Sequence, residues 1–157
     1  MKLLSFQFVF RASPPPGPED AEWFQRSHQN DWLKQFRRDF AKGFEPERID
    51  AAVGRTDERF RHLDNLLSDG RRCLGGDEFS LSDVAWMPNF HRFDLMGWPF
   101  ERTPNLKAWF ERVSARPSYL EALLNWQPDA VRGAIAEYTR KRRSEGTDIR
   151  AFGRLSG

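Results

Sequence analysis

Phe79-Ser80-Leu81-Ser82-Asp83-Val84-Ala85-Trp86 is the stretch on which the fold turns. Ser80 is an N-cap residue type, placed to accept a bond from the backbone N–H of Asp83. Asp83, three residues on, can reach back to the N–H of Ser80. The spacing predicts a capping box with Asp in place of the usual Glu, flanked by Phe79 and Val84 as a hydrophobic staple. Val84, Ala85, Trp86, Met87, Phe90, Phe93, Leu95 and Met96 then point in every direction around a helix, the pattern of a buried one. The chain is therefore expected to wrap around a central helix from Ser80 to about Met96. Pro88 removes a backbone bond inside it and predicts a kink, and Gly97 closes it.

Two long antiparallel helices are expected before this one. Glu19, Asp20 and Glu22 suit the positive end of a helix dipole. Trp23, Phe24, Trp32, Leu33, Phe36 and Phe40 follow, and Gly43 is placed as a C-cap. The second helix starts at Pro46, with Ile49, Val53, Phe60, Leu63 and Leu67 as its apolar stripe, and ends at Asp69-Gly70. Gly54 within it is expected to permit close packing. Downstream, Thr103 caps a helix with Pro104 at its first position and an apolar face of Leu106, Trp109, Phe110 and Val113. Pro117 opens a further helix burying Leu120, Leu123 and Leu124. Pro128 starts a last one carrying Val131, Ile135 and Tyr138. The domain plan is an N-terminal arm and Pro-rich linker over 1–18, a helical domain over 19–138, and a frayed basic tail over 139–157.

The 157 residues suit one domain, and 14 Phe with 6 Trp supply the apolar mass for a helical bundle. A net charge of +2 implies no electrostatic partner. Cys73 is the only cysteine, which excludes an intrachain disulfide and a thiolate metal cluster and fits a reducing cytoplasm. No apolar run reaches the length of a membrane span. The opening Met1–Phe10 is basic and then apolar, but short, interrupted by Gln7 and without a cleavage site. It reads as a short strand or loosely packed arm rather than a signal peptide.

Leu74-Gly75-Gly76-Asp77-Glu78-Phe79-Ser80-Leu81-Ser82-Asp83-Val84-Ala85 resembles the signature of the all-helical C-terminal domain of glutathione S-transferases. Pro104-Asn105-Leu106-Lys107-Ala108-Trp109-Phe110-Glu111-Arg112-Val113-Ser114-Ala115-Arg116-Pro117-Ser118 resembles the next block of that domain, in the right order and spacing. The resemblance runs from about Ile49 to Leu124 and implies an all-α bundle. In the resembled family a linker like Ser13-Pro14-Pro15-Pro16-Gly17-Pro18 follows a thioredoxin-like domain. Only Met1 to Ala12 precede it here, so that domain is expected to be absent from this chain.

The family's reaction is attack of glutathione thiolate on an electrophile, with glutathione as co-substrate. The resemblance implies that the thiol-activating Tyr, Ser or Cys belongs to the thioredoxin-like domain, so no catalytic residue is assigned here. The first helix would line the pocket for a hydrophobic small molecule, with Trp23, Phe24, His28 and Trp32 as substrate-binding candidates. The alternative is a non-catalytic interaction module. Expected partners are a second copy of the chain, through the first two helices, or a separate thioredoxin-like domain.

Other candidate chemistry is thinner. Ser80 and Asp83 have the spacing of a cap rather than of a nucleophile and base. His28, His62 and His91 include no i, i+4 pair and no nearby cysteine, so no metal site is expected. His91 reads as a satisfied core histidine and Cys73 as a small packed residue. Arg140-Lys141-Arg142-Arg143 reads as a helix end complementing the dipole rather than a nucleic-acid contact.

Overall fold

The computed structural model describes residues 1–13 and 16–155, and among these it is all-α, with one isolated bridge between Cys73 and Gly76. The expected linker therefore lies partly outside the described residues, at Pro14 and Pro15. The longest helix, α4 (Pro46–Leu67), forms the spine. It begins with Pro46 in its first turn and buries Ile49, Val53, Phe60 and Leu67, the spacing of one helical face. Phe60 is fully buried and collects the core aromatics: Phe90 stacks on it at 4.8 Å, and Phe93 and Trp98 meet it edge-on at 5.0 and 5.1 Å. Such pairs add to what burial alone contributes.

Helix α5 (Leu81–Leu95) continues through Pro88 and packs on α6 (Pro104–Ser114). The expectation of burial all round does not hold for α5. Met87, Phe90 and Phe93 are buried, whereas Leu81 is 84% and Val84 51% exposed. An all-round apolar pattern records that a helix can be covered, not that this chain covers it. Helix α6 is not capped by the Thr103 side chain, whose Oγ1 donates to the carbonyl of Phe100 at 3.4 Å. A carboxylate from α4 takes that role: Asp64 Oδ1 accepts from the Leu106 N–H at 2.9 Å. A tertiary partner satisfies the free donor that local spacing assigned to Thr103.

The N-terminal stretch is neither a strand nor a loose arm. It forms helix α1 (Lys2–Phe8), packed on α4, with Leu4 at 0% and Phe8 at 3% exposure. Leu4 and Phe8 are four residues apart and share one face. Phe6 points elsewhere, meeting Phe10, Phe36 and Phe40 edge-on at 5.0, 4.9 and 5.1 Å. This short helix thus ties the following helices to the core.

The expected first long helix is two helices, α2 (Pro18–Ser27) and α3 (Asp31–Lys42). The break falls where Asn30 Oδ1 accepts from the Leu33 N–H at 3.0 Å. An Asn side chain that bonds the backbone in this way starts a helix rather than continuing one. Helix α2 buries no residue.

After α6, a short helix α7 (Pro117–Tyr119) runs into a π-helical turn, Leu120–Leu124. Leu120 is half exposed and Leu123 and Leu124 are only partly buried, so this segment covers less than its pattern promised. Helix α8 (Asp129–Ser144) follows.

The tail after Thr139 is docked, not frayed: Ile149 is 0% and Leu155 5% exposed. Two arginines of the basic run hold it. Arg143 Nε pairs with the buried Asp148 at 3.1 Å, and Arg142 donates to the carbonyl of Thr147 at 2.8 Å and lies over the Phe8 ring. At the far end Gly153 donates its N–H to Asp50 at 2.8 Å, with φ at +63°. A Cβ there would stand 2.5 Å from Val53 Cγ1 and 2.9 Å from the backbone N of Gly54.

The close approach at α4 is therefore made by Gly153. A Cβ on Gly54 itself meets nothing within 4 Å. Gly54→Ala is expected to raise unfolding stability by about 0.5–1 kcal/mol, since it removes helix-interior backbone freedom. Gly153→Ala is expected to lower it by at least about 1 kcal/mol, through the left-handed backbone and the Val53 contact. Urea denaturation of the two variants checks the contrast.

Candidate functional site

Asp83 is the most constrained polar group in the fold. It is 0% exposed and accepts four bonds. Oδ1 takes the Leu74 N–H at 3.0 Å and the Trp109 indole N–H at 2.7 Å. Oδ2 takes the Ser80 N–H and the Ser80 hydroxyl, each at 2.9 Å. The Ser80 hydroxyl also lies 2.7 Å from Ser82 Oγ, and the Asp83 N–H donates to the Ser80 carbonyl at 3.1 Å. Burial pushes the Asp83 carboxyl up, but the donors from Leu74, Trp109 and Ser80 outweigh it and hold the pKa below the ordinary carboxylate value. With every acceptor position engaged and no solvent access, this carboxylate is structural: it joins the loop at Leu74, the start of α5 and the middle of α6.

The substrate-binding candidates divide into two places. Phe24 stacks on His28 at 3.8 Å, with Trp23 edge-on to His28 at 6.4 Å. Arg37 lies over the Phe24 ring at 4.6 Å. Trp32 belongs to a different helix, where it stacks on Phe36 at 5.3 Å and carries Lys2 over its ring at 4.7 Å. Trp23 and Trp32 are each 61% exposed. The candidates thus make two separate groups, and none of them lines either of two cavities found elsewhere. One, of about 450 Å³, is bounded by Arg61, Asp64, Asn65 and Arg102. The other, of about 320 Å³, is bounded by Leu67, Gly70, Arg71, Arg72, Asn105, Ala108 and Arg112.

Cys73, His91 and both tyrosines are already buried or engaged. Cys73 is buried, and burial, then the Asp83 carboxylate, push its thiol up against the pull of Arg112, Arg72 and Arg116. It stays protonated at neutral pH. His91 Nδ1 lies 2.6 Å from the Tyr119 hydroxyl and Nε2 lies 2.9 Å from Gln127 Oε1. The Gln127 carbonyl can only accept, which places the proton on Nε2 and leaves Nδ1 to accept from Tyr119. Burial and the Asp94 charge raise the Tyr119 pKa, away from phenolate. The other tyrosine, Tyr138, receives a bond from Arg142 at 3.0 Å. Among the described residues no group of three or more His, Cys, Asp or Glu side chains could hold a metal ion. Nor is any helix among them long and apolar enough to cross a membrane.

Residues 46–112, from the start of α4 to the last turn of α6, match the family model of the glutathione S-transferase C-terminal domain. They belong to that family. The matched segment contains the Asp83 junction and the Phe60 core, but neither α1 nor the α2–α3 aromatics. Glutathione S-transferase hmp2 from Hypomyces subiculosus is 33% identical over 77 residues, 48% of this chain and 36% of its own length. Glutathione S-transferase GstB from Escherichia coli is 29% identical over 76 residues, again 48% of this chain and 36% of its own. The disulfide-bond oxidoreductase YfcG from the same organism is 29% identical over 85 residues, 52% of this chain and 40% of its own. The chain thus matches well under half the length of these relatives. No solved structure matches it.

The sign of the Asp83 effect on stability follows from its depressed pKa. An unfolded Asp titrates near about 4 and the folded one below that. Its contribution is therefore complete above the unfolded value and lost as pH falls through the folded one. Unfolding free energy measured from pH 6 to pH 2 should fall across that window. Asp83→Asn should be less stable at pH 6 and show a shallower decline. An unchanged slope in the variant would assign the acid sensitivity to other carboxylates.

Proposed function

We propose that this glutathione S-transferase C-terminal domain supplies the hydrophobic-electrophile half of a transferase site, and that glutathione is bound and activated by a thioredoxin-like domain outside the chain. The carrying observation is the first turn of α5. Leu81 and Val84 stand 84% and 51% exposed beside the fully buried Asp83, on a helix start that four bonds hold rigid. An apolar surface on a fixed element is suited to being covered by a partner. The exposed Trp23 beside Phe24 and His28, and the exposed Trp32 on α3, support the same reading, since aromatic side chains become a pocket wall when a second surface closes over them. The single cysteine and both tyrosines are buried or hydrogen-bonded, so the chain offers no free thiol-activating group of those types.

In this reading the folding unit is larger than residues 19–138, because α1 and the docked tail both contribute buried residues. A second reading, an assembly module without catalysis, is favoured by the same exposed Leu81 and Val84 if the surface meets a second copy rather than a thioredoxin-like domain.

Calorimetric titration with glutathione and a turnover assay with a generic aromatic electrophile test the first reading. The chain alone is expected to show no turnover above the uncatalysed rate. Turnover by the isolated chain would overturn it and direct mutagenesis to Cys73, His28 and Tyr138. Sedimentation separates the second reading. If copies associate, Leu81→Glu with Val84→Glu should return the chain to monomer, with unfolding stability changed by no more than about 0.5 kcal/mol per site.

A further inference from the structure

The two cavities differ in how their arginines are partnered. In the larger one, Arg61 and Arg102 face Asp57 at 2.7 and 3.9 Å, and Asp64 completes the wall. Cations and carboxylates balance there. The smaller cavity, between the C-terminal end of α4 and one face of α6, has an excess of cation. Asn105, Ala108 and Arg112 line it from α6 at positions that share a helical face. Leu67 and Gly70 line it from the other side, with Arg71 and Arg72.

Only one of its three guanidinium groups is neutralised by contact. Arg71 is locked on Asp69, Nη2 to Oδ2 at 2.6 Å and Nε to Oδ2 at 2.9 Å. That contact holds the Asp69 carboxyl down at about 2. Asp77 also acts on Arg71, through space. Arg112 donates from Nη2 to the Arg72 carbonyl at 3.1 Å, which fixes its orientation but cancels no charge. The Arg72 guanidinium makes no hydrogen bond or ion pair among the described residues, and it is exposed at the mouth. A cavity of about 320 Å³ lies within the range of small-ligand sites. The Arg72 fork and the remaining N–H groups of Arg112 match the oxygens of a carboxylate or phosphate group. Leu67 and Ala108 offer apolar surface for the rest of such a molecule.

We propose that this cavity binds a small organic oxyanion, held by Arg72 and Arg112 with its apolar part against Leu67 and Ala108. The site is separate from the aromatic residues of α2 and α3 and does not depend on the transferase reading.

Amide chemical-shift titrations with inorganic phosphate, phenyl phosphate and benzoate, at constant ionic strength set with chloride, test it. Saturable shifts are expected at the amides of residues 70–72 and 105–112. Phenyl phosphate should bind more tightly than inorganic phosphate, because it adds the apolar contact. Comparison of phenyl phosphate with benzoate identifies the preferred headgroup. Arg72→Met should weaken binding about tenfold or more, the size expected for losing a charge-assisted bond. Because Arg72 bonds to nothing in the fold through its side chain, the variant should keep the parent's circular dichroism and melting temperature. Shifts that stay linear with concentration, or that Arg72→Met leaves unchanged, would overturn the proposal.

Discussion

A single buried carboxylate holds this fold in register. Asp83 receives donors from the loop before α5, from the first residues of α5 itself and from the indole of Trp109 on α6. The Leu74 N–H and the Trp109 indole N–H would otherwise be buried without a partner, at a cost of about 1–3 kcal/mol apiece. The carboxylate would be costlier still to bury without them. The four bonds and the burial thus require one another. The Phe60 cluster adds α4, which Asp83 does not touch, by packing it on the Phe90 and Phe93 face of α5.

The sequence made this centre legible because its signals are local. Ser80 and Asp83 are three residues apart, and the glycines and apolar residues around them mark one loop-to-helix transition. The course of α4 and α6 follows from periodicities within single segments and the start of α5 from its capping spacing, while the resemblance implied the all-α bundle. What could not be read was tertiary. Asp64 reaching the start of α6 leaves no local trace, nor does Trp109 reaching Asp83 from 26 residues away. Asn30 was a readable break, but the apolar spacing on both sides of it suggested one continuous helix. The tail looked frayed because a basic run is usually solvated. Here Arg142 and Arg143 turn inward to hold the segment that follows them.

The candidate binding residues show the same limit. The family resemblance implied a lined pocket, yet Trp23, Phe24 and His28 lie on one helix and its end, and Trp32 on the next. One open cavity lies elsewhere, among arginines of α6 and the α4–α5 loop. Those were unremarkable in the sequence because charges spaced along a chain reveal nothing of their convergence. The buried centre of the chain is therefore structural, with Asp83 joining the loop at Leu74, α5 and α6.

A double-mutant cycle between Asp83→Asn and Trp109→Phe tests that claim most directly. Unfolding free energies of the parent, both single variants and the double variant would be measured in urea. If the carboxylate is a shared junction, the two losses should be strongly non-additive, with a coupling of about 1 kcal/mol or more. Additive losses would show that Trp109 and Asp83 stabilise the fold independently, and the account of a single organising carboxylate would be wrong.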